Sequence, residues 1–228
     1  MSFVSAFSQR RRRRAGLPFA LASAALLFAV FVVATASARA QFGAPPTTPV
    51  HDTSALKPPA GARVAIVEFY DLECPDCANA NPLLIQASAK YGIPWVRHDF
   101  PLPQHNWSFQ AAVNARFFDT KNAKLGNDYR DAVFANQNSI ETPVQLQQFT
   151  QKFAASHGVA LPFAIDPMGK LSGLVKADRD LGQRIGIEHT PTIWIVTNGS
   201  HAAPFVEVVD RNKLYQLIDT AIAETRGH

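Results

Sequence analysis

A chain of 228 residues, 47% apolar and 10% aromatic, has the composition of a globular protein. Its formal charge of +4 and pI of about 9.2 come from its beginning, where Arg10 to Arg14 and Arg39 supply six of the 22 basic residues. No acid precedes Asp52, so residues 41–228 carry 16 basic and 18 acidic groups, a formal −2 with no basic face, which excludes nucleic acid as a partner.

Residues 1–40 read as an address. Five consecutive arginines precede an uncharged run from Ala15 to Ala38, rich in Ala, Leu, Val and Phe. That is the charged and apolar pattern of an export signal, and Ala36-Ser37-Ala38 and Ala38-Arg39-Ala40 offer small residues at the spacing of a cleavage site. The 20 residues from Leu17 to Ala36 are also long enough, at roughly 30 Å as a helix, to stay in a bilayer as an anchor. Either way the globular part lies outside the cytoplasm, with the arginines inside. In a bacterium that means the periplasm or the outer face of the inner membrane. The arginines form one block, a poor match to a twin-arginine signal.

Residues 41–61 hold Pro45, Pro46, Pro49, Pro58 and Pro59 without apolar periodicity, and predict a linker or poorly ordered arm. The domain is expected from residue 62 to residue 228, about 165–190 residues of mature chain, enough for one substantial core. Val64 to Tyr70 is apolar, β-branched and aromatic, the pattern of a buried strand. Ala78 to Lys90 predicts a helix ended by Gly92, kinked by Pro82, and Ile93 to Asp99 a second strand. Ser108–Asp119, Asn127–Gln137 and Pro143–His157 repeat apolar residues every three or four positions and predict helices, with Gly126-Asn127 and Asn138-Ser139 as breaks. Their aromatic stripe is core packing. Lys170 to Gly186 predicts a further helix. Thr192–Thr197 and Phe205–Asp210 then read as strands about an Asn198-Gly199 turn, and Leu214–Thr225 as a closing helix.

The only two cysteines are Cys74 and Cys77, as Cys74-Pro75-Asp76-Cys77 between the first strand and its helix. In that setting a C-x-x-C is a redox signal. The unpaired N–H groups at a helix start stabilise a thiolate, the species that attacks disulfides. A bridge closing so short a loop adds little stability, so the pair is kept for chemistry. Zinc needs four ligands, and neither a second C-x-x-C nor an ordered His pair is present. Copper would want soft ligands, and Met168 is the only methionine after the first residue. No metal and no cofactor is called for.

These residues resemble the DsbA-like thiol-disulfide oxidoreductases over about Val64 to Ile222. The marks are Val67-Glu68-Phe69 ahead of Cys74-Pro75-Asp76-Cys77, His98-Asp99-Phe100-Pro101-Leu102 with His105, Tyr129 to Gln137, and Gly186-Ile187-Glu188-His189-Thr190-Pro191-Thr192. The resemblance implies an α/β thioredoxin fold with an inserted α-helical subdomain at about residues 105–158. It implies Cys74 as the exposed nucleophile, Cys77 as the buried resolving thiol and Pro191 as a cis-proline. The Thr190 backbone would pair with substrate, and Glu68 would be a buried acid passing a proton to or from Cys77. His98, His105, His157, His189 and His201 read as structural or solvated, with His189 nearest the cis-proline loop.

The function so implied is an exported oxidoreductase that exchanges disulfides with unfolded or partly folded exported proteins, as a monomer re-set by a membrane redox partner. Two alternatives remain at this level. One is a reductase or isomerase kept reduced by a membrane partner, although isomerases of this chemistry usually dimerise and no dimerisation domain precedes Ala62. The other is a binding protein for metal or peptide that uses the fold without turnover.

The strongest oxidants of the family carry Pro-His between their cysteines, where this chain has Pro75-Asp76. An ionised Asp76 at about 6 Å, with an effective dielectric of 20, opposes the Cys74 thiolate by roughly 2.8 kcal/mol before solvent screening. The helix terminus contributes about 0.3–1 kcal/mol in the opposite sense. Pro75 and Asp76 are therefore the expected tuners, and an intermediate redox potential is expected. Asp76→His should make the protein more oxidising in glutathione buffers, and an unchanged or lower potential would contradict this account.

Overall fold

The computed structural model describes residues 47–199 and 202–226; residues 1–40, read above as an export signal or anchor, lie outside them, as does His201. The central strand β1 (Val64–Tyr70) is buried along its whole length. It pairs in parallel with β2 (Trp95–Asp99) on one side and antiparallel with β3 (Thr192–Thr197) on the other, and β4 (Phe205–Glu207) completes the order β2-β1-β3-β4. A strand covered on both faces reads as a near-continuous apolar run, which is why β1, interrupted only by Glu68, shows no alternation in sequence.

The two faces of β1 build two cores. Val64 and Ile66, with Ile193 and Ile195 of β3, pack on α1 (Pro75–Tyr91) and on the C-terminal helix α6 (Leu214–Thr225). Ala65, Val67 and Phe69 point the other way, with Trp194 and Val196, towards Ile185 and Ile187. A third core fills the insertion between β2 and β3, made by α2 (Ser108–Asp119), α3 (Ala123–Ala135) and α4 (Pro143–Ser156); α5 (Lys170–Ile185) then leads back to β3. Trp107, Phe117, Phe118, Tyr129, Phe134 and Phe153 dominate this third core, and both cysteines lie at its edge.

Four readings of the sequence change. Gly126 does not break a helix: α3 starts at Ala123, where the Asn122 side chain accepts from the Leu125 N–H as an N-cap. A Cβ on Gly126 would sit 1.7 Å from Asp119 Oδ1, so this glycine serves close approach of helices rather than a turn. The helix α1 starts earlier than Ala78, at Pro75, and runs to Tyr91, ended as expected by Gly92 in the left-handed conformation. β3 and β4 do pair, with Val196 opposite Phe205, but Thr197 N–H donates to Pro204 O at 2.9 Å. Their connection is thus a longer loop than the two-residue Asn198-Gly199 turn.

The fourth concerns the arm. From Thr48 to Leu56 it lies against the domain: Thr48 N–H and Oγ1 donate to the Glu207 carboxylate at 2.7 and 2.9 Å, and His51 N–H donates to Ile185 O at 2.9 Å. Leu56 is buried with the Val67–Phe69–Trp194 core. Among the described residues no helix is long and apolar enough to cross a membrane.

Gly182 of α5 shows how tightly that helix packs on the sheet. A Cβ there would lie 2.5 Å from Phe100 Cδ2 and 3.0 Å from Phe69 Cδ1. Gly182→Ala should destabilise the domain by about 1–3 kcal/mol in urea unfolding, because two buried rings have to shift.

Candidate active site

Cys74 is the N-cap of α1 and Pro75 its first helical residue, a position where the missing proline N–H costs nothing. Cys77 follows one turn later on the buried side of the same helix. The start of the helix is thus set by the motif itself. Both cysteines are free thiols. Cys74 is 7% exposed and Cys77 0%, so the sulfur expected as an exposed nucleophile is nearly covered, yet it is the more accessible of the two.

The Thr190–Pro191 peptide bond is cis. The loop it belongs to lies against Cys74, whose Sγ–H donates to Thr190 O at 3.3 Å. The Thr190 hydroxyl is buried and meets no hydrogen-bond partner at regular geometry among the described residues. Cys74 is held acidic, with a pKa of about 6 in place of 9.0. The first cause is the hydrogen bond from the Cys77 thiol, which burial opposes; the Thr190 side chain and the N–H groups of Cys77 and Asp76 add to it.

Cys77 moves the opposite way. Burial comes first in raising its pKa well above 9.0, followed by the hydrogen bond it gives to Cys74 and the nearby Glu68 charge. The Asp71 N–H donates to its sulfur at 3.5 Å. One helical turn therefore carries a thiolate and a thiol at neutral pH.

Glu68 is 1% exposed and lies on β1 under α1, with Trp95 Nε1–H donating to its Oε2 at 3.1 Å. Burial raises its pKa from 4.5 to about 7, against the Arg97 charge and the Trp95 bond, which lower it. Arg97 stands opposite Glu68 in the β1–β2 register. Its Nη2 donates to Asn81 Oδ1 at 2.6 Å and Asp131 Oδ1 at 2.7 Å, and its guanidinium lies 3.5 Å over the Trp95 ring.

Sequence reasoning missed several supports of this site. Asp71, fully buried, accepts from the Glu73 and Leu102 N–H groups and from His105 Nδ1 at 2.7, 2.6 and 2.8 Å, which fixes the loop ahead of Cys74. Gln137 Nε2 donates to Leu72 O and Cys74 O at 2.9 and 3.1 Å. Glu73 Oε2 accepts from the Trp107 and Ser108 N–H groups, closing the start of α2. Asp76, reckoned alone from the sequence, carries an arginine: Arg211 Nη2 lies 2.6 Å from Asp76 Oδ1. His105 carried a signal in its place in the segment after β2, and Gln137 in its place at the end of the Tyr129–Gln137 segment. His98 pairs with Asp178, His157 with Phe153 O and the exposed His189 with Thr192. Among the described residues no cluster of three or more His, Cys, Asp or Glu forms a metal site.

The profile of the thioredoxin family matches residues 59–210. The chain belongs to that family. Within the thioredoxin family it has the DsbA-like form, with the helical insertion between β2 and β3, and its solved neighbours share that form. BdbD of Bacillus subtilis is 19% identical, over 79% of this chain and 98% of its own, at a TM-score of 0.60. The thiol-disulfide exchange protein alpha-DsbA2 of Wolbachia pipientis is 18% identical over 72% and 84%, at 0.58. DsbA2 of Pseudomonas aeruginosa is 22% identical over 78% and 95%, at 0.51. At these identities the likeness is one of fold. No curated protein matches this thioredoxin-family chain in sequence.

The buried acid has a measurable consequence. An unfolded Glu68 releases its proton near pH 4.5, whereas the folded one holds it to about pH 7. Its contribution to stability is fully present below about pH 4.5 and is lost as pH rises through 7. Glu68→Gln should therefore be more stable than the parent dithiol protein at pH 8, by on the order of 3 kcal/mol, and no more stable at pH 4. Urea unfolding at the two pH values checks it.

Proposed function

We propose that the chain is a thiol-disulfide oxidoreductase that acts on exported proteins through Cys74 and Cys77. The observation that carries the reading is the split within one helical turn: an acidic thiol at the helix start, against the cis-proline loop, and a buried, weakly acidic thiol beside Glu68. An inert bridge or a peptide-binding groove has no use for that split. The arginine-led segment and the exported character of the address support an extracytoplasmic location, the periplasm or the outer face of the inner membrane, with or without an anchor at residues 15–38.

The steps balance as an exchange. The Cys74 thiolate attacks one sulfur of a substrate disulfide, the S–S bond breaks, and the substrate stays bound to Cys74 as a mixed disulfide while its other sulfur is released as a thiolate. Glu68 takes the Cys77 proton, Cys77 attacks the Cys74 sulfur, and the second substrate sulfur leaves as a thiolate that takes up a proton. Two electrons have passed to the substrate and the protein holds a Cys74–Cys77 disulfide. The reverse sequence oxidises a substrate dithiol. The Thr190 carbonyl and the cis bond at Pro191 present a backbone edge on which an extended substrate strand can pair beside the sulfur. Because the reduced form keeps a stabilised thiolate, it is the favoured form, and oxidation of substrates is the preferred direction, with a membrane partner restoring the disulfide.

The wild-type protein should reduce insulin in the presence of dithiothreitol, and Cys74→Ser should abolish that turnover. Cys77→Ser should instead accumulate a mixed disulfide on Cys74, resolvable on non-reducing gels. The potential of the pair in glutathione buffers should fall nearer about −120 mV than about −270 mV. Undiminished turnover by Cys74→Ser would overturn the assignment.

A further inference from the structure

We propose that Arg211 is a redox-tuning residue, which cancels the negative charge that Asp76 brings to the mouth of the site and so keeps an acidic dipeptide compatible with a thiolate at Cys74. The inference rests on the dithiol reading above and deepens it.

Asp76 occupies the second position of α1, between the two cysteines and in the turn whose N–H groups face the Cys74 sulfur. A carboxylate there competes with the thiolate for the same positive helix end. Arg211 comes from 135 residues away, as the first residue of the short 3-10 turn Arg211–Lys213 after β4. The start of that turn is fixed by Asp210, whose carboxylate accepts from the Asn212 N–H at 3.0 Å.

The contact has two points. Arg211 Nη2 donates to Asp76 Oδ1 at 2.6 Å and Nη1 donates to the Asp76 backbone oxygen at 3.1 Å. The second bond ties the guanidinium to the helix turn itself, so the cation keeps its place beside the motif when the Asp76 side chain moves. The fork geometry of arginine makes such a two-point hold available where lysine offers a single point charge.

The side chains are 35% and 54% exposed, and pairs so placed add little to folding stability. The electrical effect on the sulfur is another matter. The two charges are opposite in sign and in contact 2.6 Å apart beside the motif, so their fields at Cys74 oppose one another. Remaining influences on that sulfur come from Cys77, Thr190 and the helix N–H groups. Glu68 lies under the helix and acts on Cys77. Asp76 and Arg211 thus form a balance in which removal of either member tips the site.

The test follows the pH midpoint of Cys74 alkylation by iodoacetamide, read by peptide mass, together with the glutathione equilibrium. Arg211→Gln should raise the midpoint by about half a pH unit and favour the protein disulfide about two- to threefold. Asp76→Asn should move both in the opposite direction. The double variant should return close to wild type, and Arg211→Lys should stay near it. If Arg211 only held the turn in shape, the double variant would not be restored, and that result overturns the proposal, as does an unmoved midpoint in Arg211→Gln. Insulin turnover by the wild type is scored separately: its absence with the midpoints moving as expected removes the oxidoreductase reading and leaves the charge balance standing.

Discussion

The arrangement hangs on a buried polar junction between the sheet and the helical insertion. Asp99, at the end of β2, has no exposure to solvent and receives the Tyr70 hydroxyl and Arg116 Nε. The same Tyr70 oxygen accepts from Arg130 Nε at 2.8 Å, and Arg130 forks onto Asp119 at 2.8 and 2.6 Å. Arg116 also reaches Asp178 of α5, which His98 approaches from β2. Charges taken out of water are tolerable only when paired, and removal of one partner of such a set typically costs about 3–5 kcal/mol. The charges close on one another only with α2, α3 and α5 seated together on the edge of the sheet. That seating carries Gln137 to the Leu72 and Cys74 carbonyls, and lets Glu73 close the start of α2. The position of the reactive sulfur is therefore inherited from contacts a core away from it.

Above that junction the chemistry is a division of one helical turn. A single hydrogen bond between the thiols lowers the pKa of Cys74 and raises that of Cys77. The Glu68 charge makes Cys77 harder to ionise, and the Cys74 charge makes Glu68 harder to ionise, so the protons of the site are shared among the three groups. Arg97 moderates the cost of a charged Glu68 without meeting it in a hydrogen bond. Proton movement beneath the helix is thereby coupled to sulfur chemistry at its start.

How much of this could be read from the chain depended on the distance over which each feature is encoded. Ser108–Asp119, Thr192–Thr197 and Leu214–Thr225 appear with the bounds expected, because periodicity and flanking breakers are local. The cysteines, Glu68, Thr190 and Pro191 come together in space, and each had a motif around it. Arg211, Arg97 and Asp71 had none: they are single polar residues whose meaning arises only when a partner tens of residues away arrives. Gly126 failed as a signal for the same reason, since its purpose lies in Asp119 across a helix pair. In the arm, prolines outweighed Leu56 and Val50, isolated apolar residues that local pattern cannot distinguish from a tether.

The docking of that arm carries a consequence for the order of events. Thr48 and Glu207 are 159 residues apart, so the contact closes nearly the longest loop in the domain. Such a closure costs chain entropy that few contacts repay until both ends are already held in place. The arm is then the last piece to settle on a finished sheet and the first to lift, opening without the rest of the domain following it. A segment at the N-terminal edge of the domain can in this way lift and reseat while the geometry around Cys74 stays undisturbed.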